Sequence, residues 1–286
     1  MGGLIWLASY PKSGNTWLRA FLAALLSPQG PAGFDLGGLR GFNIQASSYE
    51  CYRPFTDKPP RELSLQDLAE LRPRAQRFMT EARPDSVFVK THACLGESCG
   101  VPLISMDCTA GGIYVVRNPL DVAVSTMSYF KLDLDAAITA IGNRGRATEP
   151  NDSLVLEPIS SWSVNVDSWT RVPHPQLHVV RYEDMLDKPK EVFGGIASFL
   201  GISPSEARLE AAIEATAFER LQRQEARQGF RERSEHQELF FRRGSRDQWR
   251  EAMSPAQVQR VLDDHGETMA RFGYLPEEPA ATARGD

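Results

Sequence analysis

The sequence has no long hydrophobic run. Its longest apolar stretch, residues 17–26, is interrupted by Arg19 and falls well short of the ~20 residues that span a bilayer. No transmembrane helix is expected. Positive charge is not in surplus either: 32 Lys plus Arg face 37 Asp plus Glu, a net charge of -5. General nucleic-acid binding is a poor fit, because neutralising phosphates needs an excess of Lys and Arg; a local basic pocket for one small anion remains compatible. Cysteine is scarce, with Cys51, Cys94, Cys99 and Cys108 as the whole supply. Residues 1–10 are apolar but lack a basic n-region and run into Pro11 and Lys12, so they read as a buried strand and not as a signal peptide. Together these features predict a cytoplasmic protein with free thiols. Histidine is also scarce. His92, Cys94 and Cys99 lie close in sequence, but their spacing fits none of the usual zinc pairs, and no metal is expected. Internal repeats and low-complexity tracts are missing. With 42% apolar and 24% charged residues, collagen-like, coiled-coil and disordered classes are excluded.

What is present is an alternation of strand-like and helix-like segments over 286 residues, long enough to bury a sizeable core. Strands are predicted at residues 3–9, 86–90, 112–116 and 177–181. Helices are predicted at 16–26, 64–81, 119–131, 161–170, 188–200, 206–215 and 255–272, the second with Ser64 as its cap. Residues 27–62 and 133–160 read as surface excursions, residues 222–247 as a strongly charged stretch, and the tail from 276 to 286 as disordered. The expected fold class is α/β: one domain over residues 1–275, with a central parallel sheet flanked by helices. Ligands of such sheets sit beyond the carboxyl ends of the strands. Three of the four strand ends here begin with a cation, in KTHA, RNPLD and RYEDM, which points to an anion.

The first strand is followed by Tyr10-Pro11-Lys12-Ser13-Gly14-Asn15-Thr16 and then a helix, the layout of an anion cradle. Unpaired N–H groups at a helix start carry partial positive charge. Gly14 allows close approach, Ser13, Asn15 and Thr16 add donors, and Lys12 adds full charge. A nucleoside-triphosphate loop has its glycines before the Lys. Here Lys12 precedes Gly14, and the third strand ends in Arg117 where a Mg-binding Asp would be expected. That departs from a Mg-dependent small-molecule kinase on a P-loop fold, the alternative reading, and suggests a donor handled without metal.

Tyr10-Pro11-Lys12-Ser13-Gly14-Asn15-Thr16-Trp17 closely resembles the 5′-phosphosulfate loop of the cytosolic-type sulfotransferases, which use 3′-phosphoadenosine 5′-phosphosulfate (PAPS). Tyr114-Val115-Val116-Arg117-Asn118-Pro119-Leu120-Asp121-Val122-Ala123-Val124-Ser125 resembles the 3′-phosphate segment of the same family. The resemblance implies a P-loop-like sulfotransferase fold and transfer of a sulfuryl group to a hydroxyl or amine of a small acceptor, expected to be apolar or aromatic, leaving adenosine 3′,5′-bisphosphate. By the same resemblance Lys12 contacts the phosphosulfate, Trp17 stacks on the adenine, and Arg117 and Ser125 bind the 3′-phosphate. Val87-Phe88-Val89-Lys90-Thr91-His92 is similar to the segment that carries the catalytic base. This implies His92 as base and Lys90 beside the transferred group; an imidazole titrates near neutrality, which suits that task.

Arg181-Tyr182-Glu183-Asp184-Met185 matches a Tyr-Glu-Asp segment of the family, with Tyr182 toward the donor and the two acids expected to hold Arg or Lys side chains. Thr216-Ala217-Phe218 resembles an adenine-side element carrying Thr216 and Phe218. Arg242-Arg243-Gly244-Ser245-Arg246-Asp247-Gln248-Trp249 resembles a closing segment in which Arg242, Arg243 and Gly244 cover the 3′-phosphate. There Asp247 stands where the family has Gly, and Gln248 where it has Asp. The family's short dimerisation motif is not legible in residues 250–261, which leaves monomer and homodimer open. Phe34, Phe42, Tyr49, Tyr52, Phe55, Tyr129 and Phe130 are candidates for an apolar acceptor pocket. A non-catalytic module binding adenosine 3′,5′-bisphosphate is the remaining rival, and His92 with both lysines argues against it.

Overall fold

The computed structural model describes residues 2–233, 236 and 238–276; the predicted tail from 277 onward lies outside them. Side chains along the first strand, β1 (Leu4–Ser9), alternate as a strand buried on both faces requires. Leu4, Trp6 and Ala8 join one apolar core, whereas Leu7 joins another on the opposite face. α1 (Asn15–Leu26) follows and contributes Phe21, Leu22 and Leu25 to the second core. β2 (Ile44–Gln45) is a short strand inside the 27–62 excursion, which is otherwise a series of 3-10 turns. α2 (Leu65–Thr80) starts at Ser64 with a reciprocal capping box to Asp67.

β3 (Val87–Thr91), a small hairpin of β4 (Glu97–Ser98) and β5 (Val101–Pro102), and β6 (Thr109–Val116) come next. Then follow α3 (Pro119–Phe130), α4 (Leu134–Gly142), α5 (Trp162–Thr170) and β7 (Leu177–Arg181). α6 (Tyr182–Asp187), α7 (Pro189–Phe199), α8 (Glu206–Ala215) and α9 (Phe218–Gln228) pass along one side. α10 (Trp249–Ala252) and α11 (Pro255–Arg271) close the described chain.

The five-stranded sheet runs β2-β3-β1-β6-β7, every neighbouring pair parallel. Register pairs Ala8 with Thr91, Ser9 with Val115 and Val116 with Arg181. The segments that follow β1, β3, β6 and β7 therefore leave the sheet at one edge, side by side. Four helices depart from the sequence expectation: the short α6 and α10, and the longer α4 and α9. α4 occupies part of the 133–160 excursion, capped by Asp133 accepting from the Ala136 N–H at 2.7 Å. α9 lies partly in the charged stretch, where only Leu221 and Glu225 are buried. Among the described residues no helix is long and apolar enough to cross a membrane, and the four cysteines are unpaired.

Candidate active site

The turn after β1 is built from two left-handed residues. Lys12 has φ 67° and Gly14 φ 101°. The first is a strain that a non-glycine residue carries only when its surroundings impose it. At Gly14 the need for glycine is twofold, since a Cβ would also lie 2.6 Å from the Tyr182 ring. Gly14 caps α1, and its carbonyl accepts from the N–H groups of Trp17 and Leu18. The N–H groups of Asn15 and Thr16, ahead of these two, are the ones that a helix start leaves without an intrahelical partner, and both residues line the cleft described below.

Lys12 does not extend into solvent. Its Nζ sits 3.9 Å from the Tyr129 ring centre and 4.2 Å from that of Phe240. Burial, reinforced by the nearby Arg117 charge, pulls its pKa down to about 7. Arg117, at the end of β6, donates to the Lys12 carbonyl at 3.0 Å and to the Ser245 carbonyl at 3.3 Å. Its guanidinium stacks 4.4 Å over Tyr182. Trp17 meets Tyr182 and Phe193 edge-on, at 6.0 and 5.4 Å between ring centres. Ser13 Oγ, Trp17 Nε1, Arg117 Nε and Thr126 Oγ1 are buried with no hydrogen-bond partner in the protein. Trp17, Arg117 and Thr126 line the cleft described below, so three of these groups stand beside space for polar atoms that the protein itself does not supply.

His92 follows β3. Its Nδ1 is 2.7 Å from the Ser9 carbonyl, so Nδ1 carries the proton and donates, which leaves the Nε2 lone pair free. Burial, then the Lys90 charge, hold its pKa down to about 3, well below the near-neutral titration expected from the sequence. Behind it Glu157 accepts from Thr91 Oγ1 at 2.6 Å and from the His92 N–H at 3.2 Å. Asn165 donates to the His92 carbonyl at 2.9 Å. Burial also lowers the pKa of Lys90.

The segment 242–249 folds over this edge. Asp121 holds it, accepting from the Asp247 N–H at 2.8 Å and the Trp249 N–H at 3.1 Å. Gly244 comes so close to Phe218 that a Cβ would lie 2.2 Å from its ring. Asp247, where the family has Gly, keeps a left-handed backbone at φ 60°, a conformation Asp tolerates better than most residues. Arg242 donates to Gln248 at 3.1 Å and Arg243 to Glu251 at 3.5 Å. Burial, together with Arg243 and Arg117, lowers the pKa of Arg242. Glu183 accepts from the Asn118 N–H at 3.0 Å and the Tyr274 hydroxyl at 2.7 Å. It thus braces backbone and phenol and not the expected cation, while Asp184 pairs with Arg181 at 3.4 Å.

These elements enclose a cleft of about 1940 Å³, larger than a single small-molecule site needs. Lys12, Gly14, Asn15, Thr16, Trp17, Lys90, His92, Arg117, Ser125, Tyr182, Phe218, Arg242, Arg243 and Gly244 all line it. Ser13 and Thr216 do not. Ser13 is buried in the turn, and the Thr216 hydroxyl donates to the Ala212 carbonyl at 2.8 Å inside α8. Of the aromatic residues expected at the acceptor side, Tyr129 and Phe130 reach the cleft. The others pack elsewhere: Phe42 stacks on Phe88 at 5.3 Å, Phe55 meets Phe78 at 6.0 Å, Tyr49 donates to the Lys58 carbonyl, and Phe34 and Tyr52 lie in the two cores. Both excursions do line the cleft, but through residues such as Arg40, Asn43, Gln45, Arg146 and Asn151.

Sequence reasoning missed Arg19, Glu232, Asp121 and Glu157 as site residues. Arg19 is buried beside Asn15, Thr16 and Glu232; its signal was being the one charge in an otherwise apolar helix. Glu232 is hidden among many charges, and Asp121 sits inside the segment 114–125 with nothing in its neighbours to mark it.

Comparison with known proteins places this geometry. A family model described as the sulfotransferase domain matches residues 4–273. Sulfotransferase 1B1 of Mus musculus is 28% identical over 225 residues, covering 77% of this chain and 65% of the mouse protein, so the alignment spans just under two thirds of that relative. Cytosolic sulfotransferase 13 of Arabidopsis thaliana is 26% identical over 264 residues, covering 89% of this chain and 73% of the plant protein. Among solved structures, mouse sulfotransferase SULT7A1 complexed with PAP superposes with a TM-score of 0.63 at 19% identity, covering 95% of this chain and 88% of that one. Retinol dehydratase in a complex with retinol and PAP superposes with a TM-score of 0.65 at 20% identity, covering 96% and 83%. The match over nearly the whole chain, on a shared parallel-sheet fold, establishes that this chain belongs to the sulfotransferase domain family.

Proposed function

We propose that the protein transfers the sulfuryl group of PAPS to a hydroxyl or amine of a small acceptor, with His92 as general base. The observation that carries this reading is the convergence of Lys12, Arg117 and His92 on one cleft, around a turn whose buried donors lack protein partners. The PAP held by the two solved relatives agrees with a donor of this kind.

Trp17 and Tyr182 offer aromatic surface to an adenine. Arg117, Arg242 and Arg243 gather charge for a phosphate that an ordinary adenine nucleotide lacks. On the other side His92, already a neutral acceptor at Nε2, takes the proton of the acceptor hydroxyl as its oxygen forms a bond to sulfur. The bond from sulfur to the bridging oxygen breaks, and its electron pair stays on the departing phosphate. Lys12 neutralises that oxygen, where charge develops. Lys90 faces the group in flight, and pairing it with an anionic sulfuryl group offsets the charge that depresses His92. Holding both substrates in line supplies much of the rate. A Mg-dependent kinase is disfavoured, because β6 ends in Arg117 and the following acid, Asp121, is committed to two backbone N–H groups.

The test pairs binding with turnover. Wild-type protein should take up adenosine 3′,5′-bisphosphate in calorimetry and move label from PAPS to at least one member of a panel of phenols, alcohols and amines. His92→Ala should stop transfer and leave nucleotide affinity within about twofold, since no nucleotide contact is assigned to it. Loss of nucleotide binding in that variant overturns the base assignment, and a wild type that ignores the bisphosphate overturns the whole reading.

A further inference from the structure

Where the turn after β1 meets the β2–β3 side of the cleft, one carboxylate oxygen, Glu232 Oε2, receives three cationic or hydroxyl donors. Arg19 Nη2 approaches to 2.7 Å, Thr16 Oγ1 to 3.1 Å and Lys90 Nζ to 3.6 Å. Arg19 is fixed by its remaining donors, Nε to Asn15 Oδ1 at 2.9 Å and Nη1 to Asn43 Oδ1 at 3.4 Å. It is 3% exposed, and a guanidinium cannot shed its charge. These cations hold the Glu232 pKa down to about 2 against the opposing effect of burial. The result is a preformed anion seat with a tethered carboxylate in it.

Two features mark the tether as replaceable. Glu232 sits between exposed Arg231 and Arg233, three residues beyond Gly229 with its left-handed φ of 74°. It also lies close to Lys90, which in the proposed reaction must face the transferred group. Removing a carboxylate from buried Arg19 without replacement is strongly unfavourable, so a substrate that moves Glu232 aside must bring its own anion. The direction of the seat identifies that substrate. Trp17 turns toward Tyr182 and Phe193 at the nucleotide half. Arg19, two residues and about 200° further around the helix, turns toward Asn43 and Lys90 on the β2–β3 side, where His92 stands.

We propose that Arg19 selects an anionic acceptor: a hydroxy compound with a carboxylate that displaces Glu232 from the seat while its hydroxyl faces His92. This rests on the sulfotransferase reading for the hydroxyl's fate, but the seat is testable by binding alone. The probes are 4-hydroxybenzoate, 4-hydroxyphenylacetate and 3-(4-hydroxyphenyl)propanoate, each beside its methyl ester, titrated calorimetrically with and without adenosine 3′,5′-bisphosphate. At least one acid should bind tenfold or more tightly than its ester, a factor in keeping with a charged hydrogen bond. Arg19→Gln should erase that preference and Arg19→Lys should keep part of it. Glu232→Gln, which weakens the internal competitor, should raise the acid-to-ester ratio. The proposal is overturned if no acid outbinds its ester, or if the preference survives Arg19→Gln. It is equally overturned if Arg19→Gln weakens PAPS while the acid-to-ester ratio persists, which would assign the seat to the donor. Failure of the bisphosphate to bind is a separate result: it sinks the sulfotransferase reading and leaves the acid preference to be judged on the unloaded protein.

Discussion

Lys12 ties nucleotide affinity to pH with a predictable sign. Its ammonium lies between Tyr129 and Phe240 and beside Arg117, and its pKa falls from 10.5 to about 7. A phosphate seated in the turn favours the charged form again, so binding takes up a proton wherever the free amine is neutral. Well above pH 7 and below the restored value each pH unit costs a factor of ten in affinity; with half of the amines already neutral at pH 7, the Kd for adenosine 3′,5′-bisphosphate should rise by up to about 50-fold from pH 7 to pH 9. The ligand's own phosphates lose their last proton near pH 6 and contribute little above neutrality. Lys90 is also depressed, so the measurement must isolate Lys12. Lys12→Arg does this, because a guanidinium stays charged throughout the range. Calorimetry at half-unit steps should give a slope shallower in the variant by about one decade per pH unit. A flat wild-type profile, or parallel profiles for the two proteins, refutes the reasoning. Stability of the free protein must move the other way. From pH 7 to about 10 the unfolded chain holds a proton that the folded Lys12 has lost, so this residue makes unliganded protein more stable as pH rises.

Other consequences follow from single contacts. Arg117→Ala should weaken adenosine 3′,5′-bisphosphate by about 10- to 100-fold and AMP much less, the loss of one or two charge-assisted hydrogen bonds; equal weakening of both refutes the 3′-phosphate role. Gly244→Ala should cost about 1–3 kcal/mol, because the new methyl must push Phe218 away. It should also reduce nucleotide affinity, and an unchanged melting temperature and Kd would contradict the close approach. Asp121→Asn leaves one oxygen to serve two N–H groups, at about 1–3 kcal/mol. Hydrogen exchange at Asp247 and Trp249 should then accelerate, and unaltered protection would show that the 242–249 segment is held by something else.

Much of this architecture was legible before the structure. Four of the five strands of the main sheet are legible because β-branched runs bounded by Pro, Asn and charge have few other solutions, and the Ser64 cap locates α2; the two-residue β2 is too short to leave such a run. The gathering of Lys12, Gly14 and Arg117 on one cleft was equally legible, since they sit just past the ends of strands where local sequence decides geometry. What escaped had non-local causes. α4 is nearly all apolar and so lacks the polar face that announces a helix. α9 has almost no apolar face, and it is held by Leu221 and by Glu225 accepting from the Phe240 and Phe241 N–H groups. Thr216 was assigned from a motif, yet its hydroxyl closes its own helix. The Arg19 seat joins residues more than 200 positions apart, a pairing that no window along the chain contains.

The order of strands carries a last consequence. β1 lies at the centre, with β3, which leads to His92, on one side and β6, which leads to Arg117, on the other. Lys12, His92 and Arg117 thus leave neighbouring strands spaced by rungs of about 4.8 Å set by backbone ladders, a ruler that side-chain drift cannot stretch. The margin beyond β3 is held more loosely: of the 27–62 stretch only Ile44 and Gln45 join a ladder, and the rest is 3-10 turns and irregular chain. Under the proposed reaction, changes there retune which molecule is received while the spacing of Lys12, His92 and Arg117 is kept.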